Sequence, residues 1–484
     1  MARDYGVAWD ESSQRQIGLM SYSYITHQDK QLLSFIDRDY GPAFELLLVW
    51  AEKSLHLTDP RHVYLMRHTL TFIFFVGGLI FFYRLGLRMW RHSGWALLAC
   101  LLLVLSPRIF ADSFYNSKDI PSLVMAIISM YTLMNYAERK DIQRACWHAL
   151  ACALWIDIRL TGVLSVGLTI VLMWKERSCW LYLLLTAALT LLAWPFLWES
   201  PLINFLSAWL SMTRFQWPLT VLYQGQYFSA ATLPWHYLPW WMTISTPLGF
   251  LTAGILGYVM TLKSLLVHPV AFYRQRRNEL IVLGWLTIPI VAVILMRTVI
   301  YDGYRQLYFV YPALVILAVM GFRQLYQWIG KYAGDRLKQA AQQIFLAMMA
   351  LYCLGLAGWM IRVHPYQHLY FNRLAGSSLA EIQQRYEMDY WGLSFTQVLR
   401  NLAANDPSDV IRIYVDQLPR RLNTAMLSTK DQARFVFVDD FHQASYLVTN
   451  FRWNKEGYPK ATPYYAVKLD DAIIAAAYRL PSSH

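Results

Sequence analysis

The chain alternates long apolar stretches with short polar loops. The stretches 94–107, 145–158 and 160–174 are short and would fit inside a bundle, where irregular helix ends are tolerated. We predict a helical membrane domain over residues 1–362, with about ten or eleven transmembrane helices. The ten apolar stretches are 66–83, 94–107, 120–136, 145–158, 160–174, 179–197, 239–262, 279–296, 306–322 and 341–361.

The pattern changes after residue 362. Residues 363–484 mix polar and apolar positions, and helical spacing predicts helices around 394–404, 418–427 and 470–478. Short runs of β-branched and aromatic residues predict strands in "DVIRIYVD", "RFVFVDDF", "ASYLVTNF" and "YYAVKL". The expected fold class is therefore an all-α polytopic membrane bundle followed by a small α/β domain.

Charge fixes the expected orientation. One set of alternate loops carries sixteen Lys and Arg and the opposite set only six, so the first set is predicted to be cytoplasmic. Residues 1–65, the loop 198–238 and the C-terminal domain then lie on the outer side. An outer N-terminal stretch needs a preceding helix that crosses outward, and 1–65 contains none, so we expect a first transmembrane helix upstream of this chain.

Composition supports the membrane assignment. Of 484 residues, 56% are hydrophobic and only 15% are charged, against about a quarter in soluble proteins. The net charge of +12 lies mostly in short loops, which indicates membrane topology, and we predict no nucleic-acid partner. The five cysteines lie in or beside apolar stretches without a CxxC pair, which predicts neither disulfides nor a zinc site.

Unusual polar residues collect in the predicted outer loops. Carboxylates there could deprotonate a nucleophile and cations could hold a phosphate leaving group, so the pattern suits chemistry on an anionic lipid. Arg159 lies between two apolar stretches, where a guanidinium needs a cavity or a partner. The candidates are Asp10, Glu11, Tyr40, Arg108, Lys118, Asp119, Arg159, His236, Tyr301, Asp302 and Arg305.

Structural roles for the same residues stay open at this point. Asp10 and Glu11 could cap a helix, and Arg108 and Asp119 could form a structural ion pair. His236 lies in an aromatic cluster and could be an interfacial anchor. The outer arginines could bind lipid head groups.

Five features of the chain carry a family resemblance: the Asp10-Glu11 pair in the first outer loop, "PRIFADSFYNSKDIP", "YDGYRQLYFVYPAL", "HPYQHLYFNRLAG" and "YEMDYWGLS". They resemble segments of the GT-C family of polytopic glycosyltransferases, in the branch of protein O-mannosyltransferases and the lipid A aminoarabinose transferase. The spacing from Arg108 to Asp119 is longer than in the tightest form of the family motif, so the equivalent acidic residue there is open. The family also begins with a membrane helix before its Asp-Glu loop.

The resemblance implies a sugar donor linked to a polyprenyl phosphate, an outer-facing site and inversion at the anomeric carbon. Asp10 would be the general base on the acceptor hydroxyl, and Glu11 and Asp119 complete the candidate catalytic set. The candidate donor-phosphate ligands are Arg108, Lys118, Arg159 and Arg305, and the candidate substrate-binding residues are Tyr40, His236, Tyr301 and Asp302. Among these, Lys118, Arg159 and His236 are chosen from the placement of charge and not from the resemblance. No metal-ligand set is predicted and no cofactor is specified, although the acidic pairs could bind a divalent cation.

The sequence thus predicts a glycosyltransferase of the bacterial inner membrane, with its active site on the periplasmic side. Its partners would be membrane lipid, a polyprenyl-phosphate-sugar donor and a glycan, lipid or protein acceptor. A transporter or flippase of lipid-linked sugar is the first alternative, although its expected inverted repeats are not visible. A surface-polysaccharide polymerase or ligase is the second, although loop 198–238 carries a single arginine, Arg214.

Overall fold

A computed structural model describes residues 1–213, 217–416 and 421–481. In these ranges the chain is mainly helical, with strands confined to loop 198–238 and to the C-terminal domain. The helices α1 to α20 are Glu11–His27, Gln31–Ser34, Ala43–Ser54, Pro60–Trp90, Ser93–Val104, Pro107–Tyr115, Asp119–Arg139, Ile142–Ile158, Val163–Met173, Arg177–Ala193, Pro201–Thr213, Tyr237–Ser245, Leu248–Val267, Pro269–Gln275, Arg277–Met296, Tyr311–Tyr332, Gly334–Arg362, Leu379–Arg385, Phe395–Asn405 and Thr429–Gln432. The strands β1 to β7 are Thr220–Tyr223, Gln226–Ser229, Ile411–Val415, Phe435–Phe437, Tyr446–Thr449, Tyr465–Leu469 and Ala472–Arg479.

The predicted membrane bundle is confirmed, and its helices vary in length. Within the described residues six helices are long and apolar enough to span a bilayer, and a seventh span results if α5 and α6, bent by 68°, count as one. The remaining stretches give shorter or broken helices. The stretch 239–262 is split between α12 and α13, because Thr246 is extended before Pro247.

The centre of the bundle is formed by α7 and α16, whose apolar stretches are mostly buried, whereas α17 is largely exposed along its apolar length. Small residues let α13 approach α16 closely. A Cβ on Gly257 would lie 2.0 Å from the Leu317 carbonyl oxygen, and one on Gly321 would lie 1.9 Å from that of Ala253. Such contacts are typical of helix pairs packed in membranes.

The N-terminal stretch folds into helices that are fastened to α4. Buried Arg67 of α4 lies 2.6 Å from Glu45 of α3, and Arg15 of α1 lies 2.6 Å from Glu52 of α3. The segment 28–42, which contains α2, connects α1 to α3.

The C-terminal domain contains the predicted strands. Its five-stranded sheet has the order β4-β3-β5-β7-β6, with β3 parallel to β4 and β5, and with β7 antiparallel to β5 and β6. The helix predicted at 394–404 is confirmed as α19. Of the stretch 418–427, residues 418–420 lie outside the described residues and Leu422–Met426 forms a 3-10 helix.

The prediction of a helix at 470–478 is wrong, because this segment forms β7. Its alanines favour a helix in isolation, yet the strand is paired on both sides by β5 and β6 and is mostly buried. Tertiary pairing therefore overrides the local propensity.

The first nine residues lie between the bundle and the C-terminal domain. The Val7 amide donates to Asn423 Oδ1 at 2.9 Å, and Asn423 Nδ2 donates back to the Val7 carbonyl at 3.2 Å. The Trp9 amide donates to the Trp391 carbonyl at 3.2 Å. The C-terminal domain is thus in contact with the segment that leads into Asp10.

Candidate active site

Four charged residues meet at helix ends. Asp10 is the N-cap residue of α1 and Asp119 is the first residue of α7. Arg159 directly follows the last residue of α8, and Arg305 opens the 3-10 helix Arg305–Val310 that leads into α16. Because these helix ends reach the same level of the bundle, residues far apart in sequence form one cluster of charges.

Arg305 is the centre of this cluster. Its Nη1 lies 3.0 Å from Asp10 Oδ2 and 3.3 Å from Asp119 Oδ2. Its Nε and Nη2 donate to Asp302 Oδ2 at 3.1 and 2.9 Å. The side chains of Arg305, Asp119 and Asp302 are at most 2% exposed, whereas that of Asp10 is 26% exposed. Of the three carboxylates around Arg305, Asp10 is therefore the one that is accessible to solvent.

Asp119 is held by a second arginine and by an amide. Its carboxylate forms an ion pair with Arg159 and accepts from Asn116 Nδ2 at 3.0 Å, and its own amide donates to Asn116 Oδ1 at 2.8 Å. The alternative of an Arg108–Asp119 ion pair is thus wrong. Arg159, which the sequence places between two apolar stretches, finds its partner in Asp119.

Lys118 and Tyr40 form a separate contact beside the cluster. The Lys118 ammonium lies 3.4 Å from the centroid of the Tyr40 ring, a cation–π distance. Within the described residues no carboxylate forms an ion pair with it. Burial lowers the pKa of Lys118 to about 7, and the positive charge of Arg159 contributes in the same direction. The N–H groups of the Lys118 ammonium can thus donate to an anion, and the ammonium loses its proton near neutral pH.

Asp37 and Tyr40 of the N-terminal loop face the same charges. Burial raises the pKa of Asp37, an effect opposed by Lys118 and reinforced by Asp10. Burial also raises the pKa of Tyr40 to about 12. The sequence shows Asp37 as an outer-loop acid, but nothing in its local pattern indicates how close it lies to Lys118.

Aromatic rings form the walls of the cluster. The Arg305 guanidinium lies 5.2 Å from the centroid of the Tyr301 ring and 4.7 Å from that of Trp391. Trp217, from loop 198–238, stacks on Tyr301 with 3.9 Å between centroids and makes an edge contact with Trp9 at 5.6 Å. Trp217 and Trp391 are site residues that sequence analysis missed, because their indoles resemble the many interfacial aromatics.

The C-terminal domain adds Arg452 and Glu387, which sequence analysis also missed. Arg452 forms ion pairs with Asp302 and with Glu387, and all three side chains are at most 1% exposed. Arg452 lies in the segment after β5, and nothing in "TNFRWNKE" marks it as buried.

Three predicted site residues lie outside the ion cluster. Buried Glu11 accepts from the Ala8 amide at 2.8 Å and contacts His68 Nε2 at 3.1 Å, which fastens α1 to α4. Buried Arg108 donates to the Tyr370 carbonyl at 3.1 Å. His236 Nδ1 lies 2.7 Å from the Tyr223 hydroxyl. The predicted residues that are brought together are Asp10, Tyr40, Lys118, Asp119, Arg159, Tyr301, Asp302 and Arg305.

The cluster is built of alternating ion pairs. Among the described residues, no group of three or more His, Cys, Asp or Glu side chains is arranged to hold a metal ion. The carboxylates of Asp10, Asp119 and Asp302 all form ion pairs with the guanidinium of Arg305. Such an arrangement can accept a proton at the exposed carboxylate and hold an anion at the cations.

Comparison with known proteins identifies the fold. No protein-family model and no curated protein sequence matches the chain. Its structure is similar to that of ArnT from Cupriavidus metallidurans in the apo state, with 12% sequence identity, a TM-score of 0.50, and coverage of 98% of this chain and 94% of that chain. An Archaeoglobus fulgidus oligosaccharyltransferase tethered with an acceptor peptide aligns at 12% identity and a TM-score of 0.49, over 84% of this chain and 56% of that chain. The likeness to ArnT confirms the predicted GT-C-like fold.

Proposed function

We propose that this protein is a membrane glycosyltransferase that uses a polyprenyl-phosphate-linked sugar as its donor. The sugar goes to a hydroxyl of a glycan, lipid or protein acceptor on the periplasmic face of a bacterial inner membrane. The observation that supports this most directly is the partly exposed Asp10 carboxylate, 3.0 Å from the buried Arg305 guanidinium. In this pair the proposed proton acceptor lies beside a guanidinium that would bind the donor phosphate, in a fold similar to that of ArnT.

The reaction would be a single displacement. Asp10 takes the proton of the acceptor hydroxyl, and the hydroxyl oxygen attacks the anomeric carbon as the bond from that carbon to the phosphate oxygen breaks. Attack from the face opposite the leaving group inverts the anomeric configuration. A positioned base of this kind contributes roughly 10²–10⁴-fold to the rate.

The leaving group is polyprenyl phosphate, which takes the electrons of the broken bond as negative charge on its oxygen. Lys118, Arg159 and Arg305 would stabilise that charge as it develops, and fixed donors in such a site contribute several kcal/mol. Tyr301 and Tyr40 supply surfaces beside these cations. No general acid is needed, because a phosphate leaves without protonation.

In the resting structure the two arginines, Arg159 and Arg305, are already paired with carboxylates. Asp10 occupies the Nη1 side of Arg305, and of the carboxylates on Arg305 it is the one with an exposed side chain. An incoming donor phosphate would take the place of Asp10 at Nη1. The released carboxylate is then free to accept the proton of the acceptor.

The test is direct. Purified protein in nanodiscs is given a panel of polyprenyl-phosphate sugars with alcohol and lipid A acceptors, and release of polyprenyl phosphate is followed together with the anomeric configuration of the product. Donor-dependent release with an inverted product supports the proposal. Absence of release with every donor, together with movement of a labelled lipid-linked sugar between leaflets, would favour the transporter.

Sidedness needs a separate experiment. A cysteine-free variant carrying Lys430→Cys, on an exposed helix of the C-terminal domain, is labelled with a membrane-impermeant maleimide in intact spheroplasts and in inverted vesicles. Labelling in spheroplasts alone agrees with a periplasmic domain. Labelling in inverted vesicles alone refutes it.

A further inference from the structure

We propose that Arg452 of the C-terminal domain is a positioning residue for sugar transfer, which acts through Asp302 on the phosphate-binding Arg305. The inference deepens the proposed function and rests on it. It makes the C-terminal domain a structural part of the active site.

The first support is the way in which Asp302 is shared. Its Oδ2 accepts from Nε and Nη2 of Arg305 at 3.1 and 2.9 Å, while its Oδ1 pairs with Nη2 of Arg452. Each oxygen of one carboxylate therefore serves a different arginine. With the Nε and Nη2 side of Arg305 fixed in this way, Nη1 is directed at Asp10 and Asp119.

The second support is that Arg452 is itself held on several sides. Its Nε lies 3.3 Å from Glu387 Oε1, and its Nη1 donates to the Tyr390 carbonyl at 3.0 Å. Its guanidinium also lies 4.9 Å from the Trp453 ring centroid and 5.6 Å from that of Trp9. A buried charge with this many partners has a defined orientation, which it passes to Asp302.

The third support comes from the segment 387–391. This segment supplies Glu387 and the Tyr390 carbonyl to Arg452, and it places the Trp391 ring 4.7 Å from Arg305. The Trp391 carbonyl accepts from the amide of Trp9, the residue before Asp10. The candidate base and the candidate phosphate ligand are thus both positioned against one segment of the C-terminal region.

A buried ion pair is by itself weak evidence for a role in stability. Replacing a buried ion pair with apolar groups of the same shape is often neutral or favourable for stability. A chain of alternating charges from Asp10 through Arg305, Asp302 and Arg452 to Glu387 fixes orientation instead. A displacement of about 1 Å at a reacting group costs about 10²-fold in rate.

The experiment compares Arg452→Met and Arg452→Lys with a matched control, Arg434→Met. Arg434 is also an arginine of the C-terminal domain, held by the carbonyls of Ala403 and Ser408 and remote in its contacts from the ion cluster. We expect Arg452→Met to lower kcat/KM for the donor about 10²-fold. Arg452→Lys should recover part of that loss. Arg434→Met should lower the thermal midpoint and leave kcat/KM within about twofold.

A double-mutant cycle with Asp302→Asn tests the route through Asp302. If Arg452 acts through that carboxylate, either Arg452 variant loses most of its effect once Asp302 is replaced. The inference is overturned if the effects of the Arg452 and Asp302 substitutions on kcat/KM are fully additive. It is also overturned if Arg452→Met and Arg434→Met, at the same thermal midpoint, lower kcat/KM equally. If Arg452→Met does not fold, Arg452→Lys in the same cycle decides. A parent protein inactive with every donor refutes the proposed function itself.

Discussion

Asp10→Asn separates the two roles assigned to the Asp10 carboxylate, because it should change transfer and donor binding in opposite directions. As a base, Asp10 accepts a proton that an amide cannot. Losing a base lowers the rate roughly 10²–10⁴-fold, or about 3–5 kcal/mol at about 1.4 kcal/mol per tenfold. We therefore expect kcat to fall by that factor.

Donor binding should become tighter in the same variant. The Asp10 carboxylate competes with phosphate for Arg305 Nη1, from which it lies 3.0 Å, and its side chain is 26% exposed. Ion pairs screened by solvent contribute up to about 1 kcal/mol. Removing the competitor should thus strengthen binding of polyprenyl phosphate about fivefold.

Two assays measure these effects. Single-turnover release of polyprenyl phosphate gives the transfer rate, and titration of nanodiscs with polyprenyl phosphate gives the dissociation constant. Asp4→Asn is a matched control, since Asp4 lies in the same N-terminal segment and contacts His364 rather than Arg305. A transfer rate within threefold of the parent rules out Asp10 as the base. Weaker binding of polyprenyl phosphate rules out the displacement.

Three further outcomes are expected. Because burial lowers the pKa of Lys118 to about 7, its ammonium deprotonates as pH rises through that value, so kcat/KM for the donor should fall there. Lys118→Arg should move this fall to higher pH, since the guanidinium stays protonated. A pH profile unchanged in the variant contradicts the assignment. Arg305→Lys keeps the charge without the planar fork and should lower kcat about 10²-fold in the release assay, whereas parental kcat would show that the fork is dispensable. A Cβ on Gly41 would lie 1.6 Å from the Asp157 carbonyl oxygen, so Gly41→Ala should lower the free energy of unfolding by about 1–3 kcal/mol. Gly77→Ala is the control and should leave the free energy of unfolding unchanged, because nothing lies within 4 Å of a Cβ there. Equal thermal midpoints of the two variants in detergent would refute the difference.

Much of the bundle could be predicted because membrane helices are recognised in sequence by their long apolar stretches. The same topology brought Asp10, Lys118, Asp119, Arg159 and Arg305 to one side in the prediction, since the alternation of loops assigns all five to the outer side. Their ion pairs were not predictable. They depend on how far each helix end protrudes, which periodicity along one helix does not encode.

Neighbouring residues in sequence can face different environments, and this limits prediction further. Asp10 contacts Arg305, whereas the adjacent Glu11 turns to His68 and the Ala8 amide. Arg452 illustrates a second limit. Its partner Asp302 is 150 residues away in sequence, and only the docking of the C-terminal domain brings the two together.

The threading of the first nine residues bears on how the protein is made. Val7 binds Asn423, which lies 416 residues further along the chain. At about 5–20 residues per second, the ribosome needs roughly 20–80 s to synthesise what separates them. Throughout that time the segment before Asp10 lacks its native partner, so a nascent chain already inserted in the membrane carries an unassembled candidate site. Under the proposed function, biogenesis itself would delay activity until the C-terminal domain has folded against this segment.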